Sequence, residues 1–215
     1  LEMLESLQGN RLALCEAEVG TGKTHAYILA VTVHNLFSNN KLPTIISTST
    51  IALQKALTEE YIPQISEILM EHRIIDKPLS FVVRKGKSHY ACDSRVKGYR
   101  SSIAHNDRHE DKELLSILTG LFTGACPLDL DTLPLTDYVK SCINVERCHL
   151  NCPLFSVCRY RGFIRKAQSL VYDFQIANHN LVLADVLGTK NGRRSLFPPR
   201  GVVIFDEAHK LLDAA

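Results

Sequence analysis

The chain has 215 residues, of which 45% are hydrophobic and 22% charged, and its formal net charge is +2. A chain of this size and composition can bury a full core as one globular domain, with or without an insertion. Its near-neutral charge leaves nucleic-acid binding to local patches, its longest apolar run falls short of a membrane span, and its N-terminus carries no signal-peptide pattern.

In chain order, residues 12–17 form an apolar run predicted as a strand that breaks at Gly20. From Lys23 a helical pattern follows, with Tyr27, Ile28, Val31 and Leu36 on one face. Residues 44–48 are the next strand. A helix then starts near Thr50, carries Leu53, Leu57, Ile65 and Ile68, and is expected to kink near Pro63. Residues 81–83 read as a third strand. The pattern changes over 84–165, which holds six of the seven cysteines and no clear strand. Alternation resumes at 170–173 and 175–177. Residues 201–205 form a final strand whose continuous apolar run predicts burial on both faces. Strands alternating with helices predict an α/β domain with a mostly parallel sheet, built from 1–83 and 166–215. Residues 84–165 interrupt it as a cysteine-rich insertion with little core of its own. The chain starts at Leu1 and stops at Ala215, just past a motif, so a piece of a longer protein is expected.

Two motifs flank that insertion. The first is Ala17-Glu18-Val19-Gly20-Thr21-Gly22-Lys23-Thr24. Between a strand and a helix, such a loop turns its backbone N–H groups, from Val19 to Lys23, toward phosphate oxygens, and the helix dipole favours their charge. Gly20 and Gly22 allow a tight turn, and Ala17 and Thr21 complete the loop. Lys23 is placed to neutralise the β- and γ-phosphates of ATP, and Thr24 to give its hydroxyl to Mg²⁺. The second motif is Asp206-Glu207-Ala208-His209, after the last strand. Alone, Asp206 could be a helix N-cap. With the phosphate loop upstream it becomes a Mg²⁺ partner, and Glu207 the group that orients or deprotonates the attacking water. His209 is expected to link this site to a facing domain or a bound strand.

The cysteines are Cys15, Cys92, Cys126, Cys142, Cys148, Cys152 and Cys158. An odd count without a secretion signal favours metal or cluster ligation in a reducing cytosol over a disulfide framework. Cys148, Cys152 and Cys158 are closely spaced, and Cys92 lies upstream; such a set suits Zn²⁺ or an iron–sulfur cluster. Both cysteine-bearing ends are basic: Arg84, Lys85, Lys87, Arg95, Lys97 and Arg100 oppose only Asp93, and Arg159, Arg161, Arg165 and Lys166 follow Cys158. With Tyr90 and Tyr160 nearby, these charges suit phosphate contacts and base stacking along a single strand. His89, His105, His109 and His149 have no compelling ligand partner.

Together these residues resemble the first motor domain of the iron–sulfur helicases of superfamily two, in the DinG group, with the XPD group more distant. The resemblance rests on the phosphate loop, residues 47–54 (Ser47-Thr48-Ser49-Thr50-Ile51-Ala52-Leu53-Gln54), residues 84–92 (Arg84-Lys85-Gly86-Lys87-Ser88-His89-Tyr90-Ala91-Cys92), residues 177–183 (Ala177-Asn178-His179-Asn180-Leu181-Val182-Leu183) and Asp206 to His209. It implies a RecA-like P-loop domain and a four-iron, four-sulfur cluster held by Cys92, Cys148, Cys152 and Cys158. It also implies ATP- and Mg²⁺-driven 5′–3′ translocation on single-stranded DNA, with the cluster domain aiding strand separation at a forked duplex. Thr48, Thr50 and Gln54 are then expected near the strand, with Arg84, Lys85, Lys87 and Tyr90 on its path. A monomer in the bacterial cytosol or nucleoid, a role in DNA repair and a second motor domain in the same full-length chain follow from the same resemblance. Two features depart from the family pattern. Cys148 and Cys152 are separated by three residues where four are usual, which makes Cys142 a rival second ligand. The glutamine motif that reads adenine lies upstream of Leu1. Two other classes remain: a P-loop ATPase with a structural zinc acting on RNA or protein, and a non-catalytic module in which ATP is a structural ligand.

Overall fold

The computed structural model describes residues 2–9, 11–18, 20–38, 41–104, 109–149 and 151–214. In chain order its elements are α1 (Glu2–Gln8), α2 (Lys23–Phe37), β1 (Thr44–Thr48), α3 (Ile51–Ala56), a π-helical segment (Leu57–Tyr61), α4 (Ile62–Glu71) and β2 (Phe81–Arg84). After these come α5 (Asp93–Ile103), α6 (His109–Thr123), α7 (Asp137–Ile143), α8 (Arg159–Ala167), β3 (Phe174–Asn178), α9 (His179–Lys190) and β4 (Val202–Phe205). The chain divides into two compact units, residues 1–84 with 167–215, and residues 85–166.

The first unit is an α/β layer structure. Its four strands lie in the order β2-β3-β1-β4, and every pair is parallel. The β-branched run Thr44-Ile45-Ile46 makes β1 a central strand, buried along its whole length. Ile28, Val31, Leu57, Ile62 and Ile65 from α2 and the α3–α4 region cover one face over Ile46, Phe174 and Ile176. Val182 of α9 and Phe197 cover the other over Ile45 and Ala177. The register sets Ser47 against Ala177 and against Phe205, so the carboxyl ends of β1, β3 and β4 share one edge. In open parallel sheets that edge is where ligands bind.

Three expectations change. Residues 11–18 form neither strand nor helix, and Leu12 and Leu14 are 96% and 92% exposed. Strand propensity needs a ladder partner and a covering layer, and no backbone ladder joins this segment to the sheet among the described residues. Second, β4 is an edge strand, with Val203 exposed, and is not buried on both faces. Third, 170–173 is no strand; Leu170 and Val171 face solvent, and the Asp173 carboxylate instead accepts from the Ser80 N–H (2.8 Å) and hydroxyl (2.7 Å). Near Pro63 the expected kink takes the form of the five-residue π segment before α4. Proline lacks an N–H and crowds the carbonyl of the preceding turn, and the wider turn relieves both.

The second unit has a core of its own, contrary to expectation. Ala91, Val96, Leu118, Leu121, Leu130 and Ile143 are fully buried within it, on α5, α6, α7 and the segments between. Tyr90 and Ala91 pair with Asp129 and Asn144 through isolated antiparallel bridges. Lys85 closes this frame, with Nζ 2.6 Å from Asp129 Oδ2 and 2.8 Å from Asp131 Oδ2, and His89 Nδ1 lies 2.9 Å from the latter oxygen. Burial pushes the Asp131 carboxyl up, but Lys85 and His89 outweigh it and hold it below its ordinary value. Such a group stabilises the fold fully above its unfolded pKa of ~4, and that contribution is lost as pH falls through the lower folded value. Asp131→Asn is therefore expected to reduce stability at neutral pH and to flatten the acid limb below about pH 4, as read by urea unfolding at a series of pH values.

Candidate functional site

The phosphate loop precedes α2. Gly20 and Gly22 adopt φ of 82° and 80°, a region that L side chains enter only with strain. Gly22 occupies the N-cap position without a side-chain cap, leaving first-turn N–H groups of α2 for an anion. The Thr21 hydroxyl donates to the Glu18 carbonyl at 2.8 Å. Lys23 Nζ donates to the Ala17 carbonyl at 3.0 Å and lies 3.9 Å from Glu207 Oε1. Val19 lies outside the described residues.

The Asp206 segment extends β4 at the carboxyl edge, where its N–H donates to the Ser47 carbonyl at 2.9 Å. One turn into α2, the Tyr27 hydroxyl donates to Asp206 Oδ2 at 3.1 Å. Burial, together with the Asp206 carboxylate, pushes the Tyr27 phenol well above its ordinary range, with the Thr24 hydroxyl easing the shift. Tyr27 thus stays protonated and holds the Asp206 carboxylate by its hydroxyl. Glu207 sits at φ 55°, a left-handed conformation that costs a non-glycine residue roughly 1–3 kcal/mol and is found where a site demands it. His209 is mostly exposed, with Nδ1 3.5 Å from Glu207 Oε2. The structure therefore brings Lys23, Tyr27, Asp206 and Glu207 into one constellation.

His179, at the start of α9, is only 2% exposed, and its Nδ1 shares a 2.7 Å hydrogen bond with the Ser47 hydroxyl. Burial lowers its pKa against the opposing pull of the Glu207 and Asp206 backbone, which keeps the ring neutral at pH 7. Neither Tyr27 nor His179 was assigned a role by motif reading. The spacing of Tyr27 one helical turn after Lys23 was the available signal for the first.

The seven residues expected near a nucleic-acid strand divide by placement. Thr50 caps α3, its hydroxyl accepting from the Leu53 N–H at 3.2 Å, and Lys87 is exposed. Thr48 and Gln54 are buried beside them in sequence, with the Thr48 hydroxyl turned to the Thr50 carbonyl at 3.3 Å. Arg84 is 4% exposed; it donates to Gln175 Oε1 (3.1 Å) and the Leu196 carbonyl (2.8 Å) and stacks on Phe197. Lys85 is engaged by Asp129 and Asp131, and Tyr90 packs against Tyr160 and Phe163 with centroids 5.4 and 5.1 Å away. Arg84, Lys85 and Tyr90 are thus committed within their own units, because a guanidinium, an ammonium or a phenol that loses water must find partners in the fold.

In the second unit, Cys92, Cys148, Cys152 and Cys158 line one recess, with Val145 and Leu154 among its apolar walls. Cys142 instead packs with Cys126 against the core of this unit. A half-buried clamp joins the first and last of the four. Asp93, next to Cys92, accepts from the Arg159 N–H (2.9 Å), Nε (2.8 Å) and a terminal nitrogen (2.6 Å), and Arg159 is next to Cys158. Burial raises the Cys92 thiol pKa, while the N–H groups of Arg95 and Ser94 pull it down. Those N–H groups favour a thiolate, the form that binds metal. Four thiols on one recess are a donor set that fits an iron–sulfur cluster. Among the described residues no three His, Cys, Asp or Glu side chains converge on a single metal ion. Asp93→Ala, which leaves the half-buried Arg159 guanidinium with the Leu121 carbonyl but without its carboxylate, is expected to destabilise this unit by about 1–3 kcal/mol. Urea unfolding followed by the tyrosine signal checks it.

No family model matches the chain. The chain is 32% identical over 223 residues to the ATP-dependent DNA helicase DinG of Photobacterium profundum, a match covering 95% of this chain and 30% of the relative. It is 30% identical over 221 residues to the ATP-dependent DNA helicase YoaA of Haemophilus influenzae, covering 98% of this chain and 32% of the relative. To the ATP-dependent helicase DinG of Mycobacterium tuberculosis it is 26% identical over 220 residues, covering 92% of this chain and 31% of the relative. The chain is similar to these helicases along nearly its whole length and spans about a third of the length of the curated relatives it matches.

Proposed function

We propose that this chain is the first motor lobe of an ATP-dependent DNA helicase, carrying a four-iron, four-sulfur cluster in its second unit. The observation that carries the reading is the meeting of Lys23, Tyr27, Asp206 and Glu207 at the carboxyl edge of a parallel sheet. Ala17, Gly20, Thr21 and Gly22 shape the loop that receives the ATP phosphates. Lys23 exchanges the Ala17 carbonyl for phosphate oxygens. Thr24 and Asp206 hold Mg²⁺, and Tyr27 fixes the Asp206 carboxylate. Glu207, held in a left-handed backbone conformation, orients the attacking water. Cys92, Cys148, Cys152 and Cys158 hold the cluster, a reading supported by their shared recess and by the position of Cys142 away from it. When bound, the cluster ties together the chain segments that carry its four ligands.

Single-stranded DNA runs past the end of β1, where Thr50 is exposed and Thr48 and Gln54 lie buried beneath it, and Lys87 is a separate phosphate contact of the second unit. The 5′–3′ direction, action at forked duplexes, a role in DNA repair, a monomeric state, residence in the bacterial cytosol and a second motor lobe that closes over ATP follow from the likeness to DinG. A second lobe that supplies an arginine finger is worth about 10³–10⁵ in rate. The 215-residue chain is therefore expected to bind Mg²⁺–ATP but to hydrolyse it poorly, with little stimulation by single-stranded DNA. Calorimetric titration with ATP, paired with a phosphate-release assay, tests this. Rapid DNA-stimulated turnover by this chain alone would contradict the division of labour, and no ATP binding would contradict the site.

A further inference from the structure

Among the described residues of the second unit, Arg161 has a buried side-chain nitrogen with no hydrogen-bond partner and no counter-charge. Arg161, in the first turn of α8, lays its guanidinium carbon 3.3 Å from the ring centroid of Phe155. Its Nε is buried and has no hydrogen-bond partner among the described residues. No carboxylate pairs with it among those residues either. It nevertheless lines the recess together with Cys92, Cys148, Cys152 and Cys158. A buried guanidinium N–H without an acceptor costs free energy, more so for a charged group than for a neutral one. Its neighbour in sequence, Arg159, has both a carboxylate and a carbonyl. The arrangement makes chemical sense if the recess holds an anion with sulfur acceptors, which a cluster ligated by four thiolates is.

We propose that Arg161 donates its Nε–H to a sulfur of the cluster seated among Cys92, Cys148, Cys152 and Cys158, and so raises that cluster's reduction potential. The inference rests on the cluster reading above. Phe155, which lines the same recess, holds the guanidinium by the 3.3 Å contact with its ring. Cluster potentials respond to net charge and to hydrogen bonds on the sulfurs. A donor stabilises the more negative, reduced state, so its removal lowers the potential. Lysine keeps the charge but lacks the planar fork and the stack.

The test uses the 215-residue chain, purified and reconstituted anaerobically with ferrous iron and sulfide, alongside Arg161→Met and Arg161→Lys. Spectroelectrochemical titration is expected to show the reduction equilibrium of the methionine variant shifted about tenfold toward the oxidised form, 59 mV for a one-electron couple, with lysine between. A reduction equilibrium within about twofold of the parent in the methionine variant, at equal iron content, overturns the proposal. Pulsed EPR on the reduced parent chain, with ¹⁵N only in its arginine guanidinium groups, reads the contact directly. A guanidinium nitrogen coupling that Arg161→Met removes supports the donor; no coupling in the parent, or one that survives in Arg161→Met, overturns it. Failure of the parent to take up iron would instead remove the cluster reading itself.

Discussion

Lys23→Ala is expected to weaken Mg²⁺–ATP binding by about 30- to 150-fold, the equivalent of roughly 2–3 kcal/mol for a charge-assisted contact. Lys23 stands at the start of α2, behind two glycines of positive φ, and among the described residues its ammonium reaches a carbonyl at 3.0 Å and a carboxylate 3.9 Å away. Little of the fold depends on those two contacts, because its side chain is 31% exposed. Thermal stability without nucleotide should therefore stay within about 0.5 kcal/mol of the parent. A titration that shows unchanged affinity would remove Lys23 from the site, and a large loss of stability would assign it a structural role instead.

Cys158→Ser is expected to reduce bound iron from about four per chain to less than one, since a serine hydroxyl is not deprotonated as a thiol is. The visible absorbance of the cluster should fall with it. ATP affinity should persist, because Lys23, Asp206 and Glu207 belong to the other compact unit. Cys142→Ser makes the contrast: packed against the core of the second unit and away from the recess, it is expected to leave iron content unchanged. Iron retained in the Cys158 variant, or lost in the Cys142 variant, would reassign the ligand set.

Much of the sheet was legible because its strands carry their burial in local composition. Thr44-Ile45-Ile46 and Phe81-Val82-Val83 are β-branched or aromatic runs, and they form β1 and β2. Residues 12–17 and 170–173 looked similar. Whether such a run pairs depends on a neighbour that local composition does not reveal, and both stay outside the sheet. The same limit applies to charge. Counting Arg84 and Lys85 as a basic patch was sound for composition, yet folding buries Arg84 against Gln175 and gives Lys85 to Asp129 and Asp131. Each of those partners is distant in sequence. The motifs marked where phosphate chemistry belongs, but the Tyr27–Asp206 contact spans 179 positions and becomes visible only in three dimensions. The core of the second unit was missed for a related reason. Its leucines and valines are spread over α5, α6, α7 and the connection between α6 and α7, with no long apolar run to announce them.

The central claim is that a nucleotide-binding lobe of the DinG type carries an iron–sulfur cluster on four of its cysteines. Iron, zinc and acid-labile sulfide content of the anaerobically purified chain, read with its absorbance spectrum, tests that claim most directly. The account predicts about four irons and four sulfides per chain with charge-transfer absorbance in the visible. One zinc per chain, with no sulfide and no visible absorbance, would contradict it.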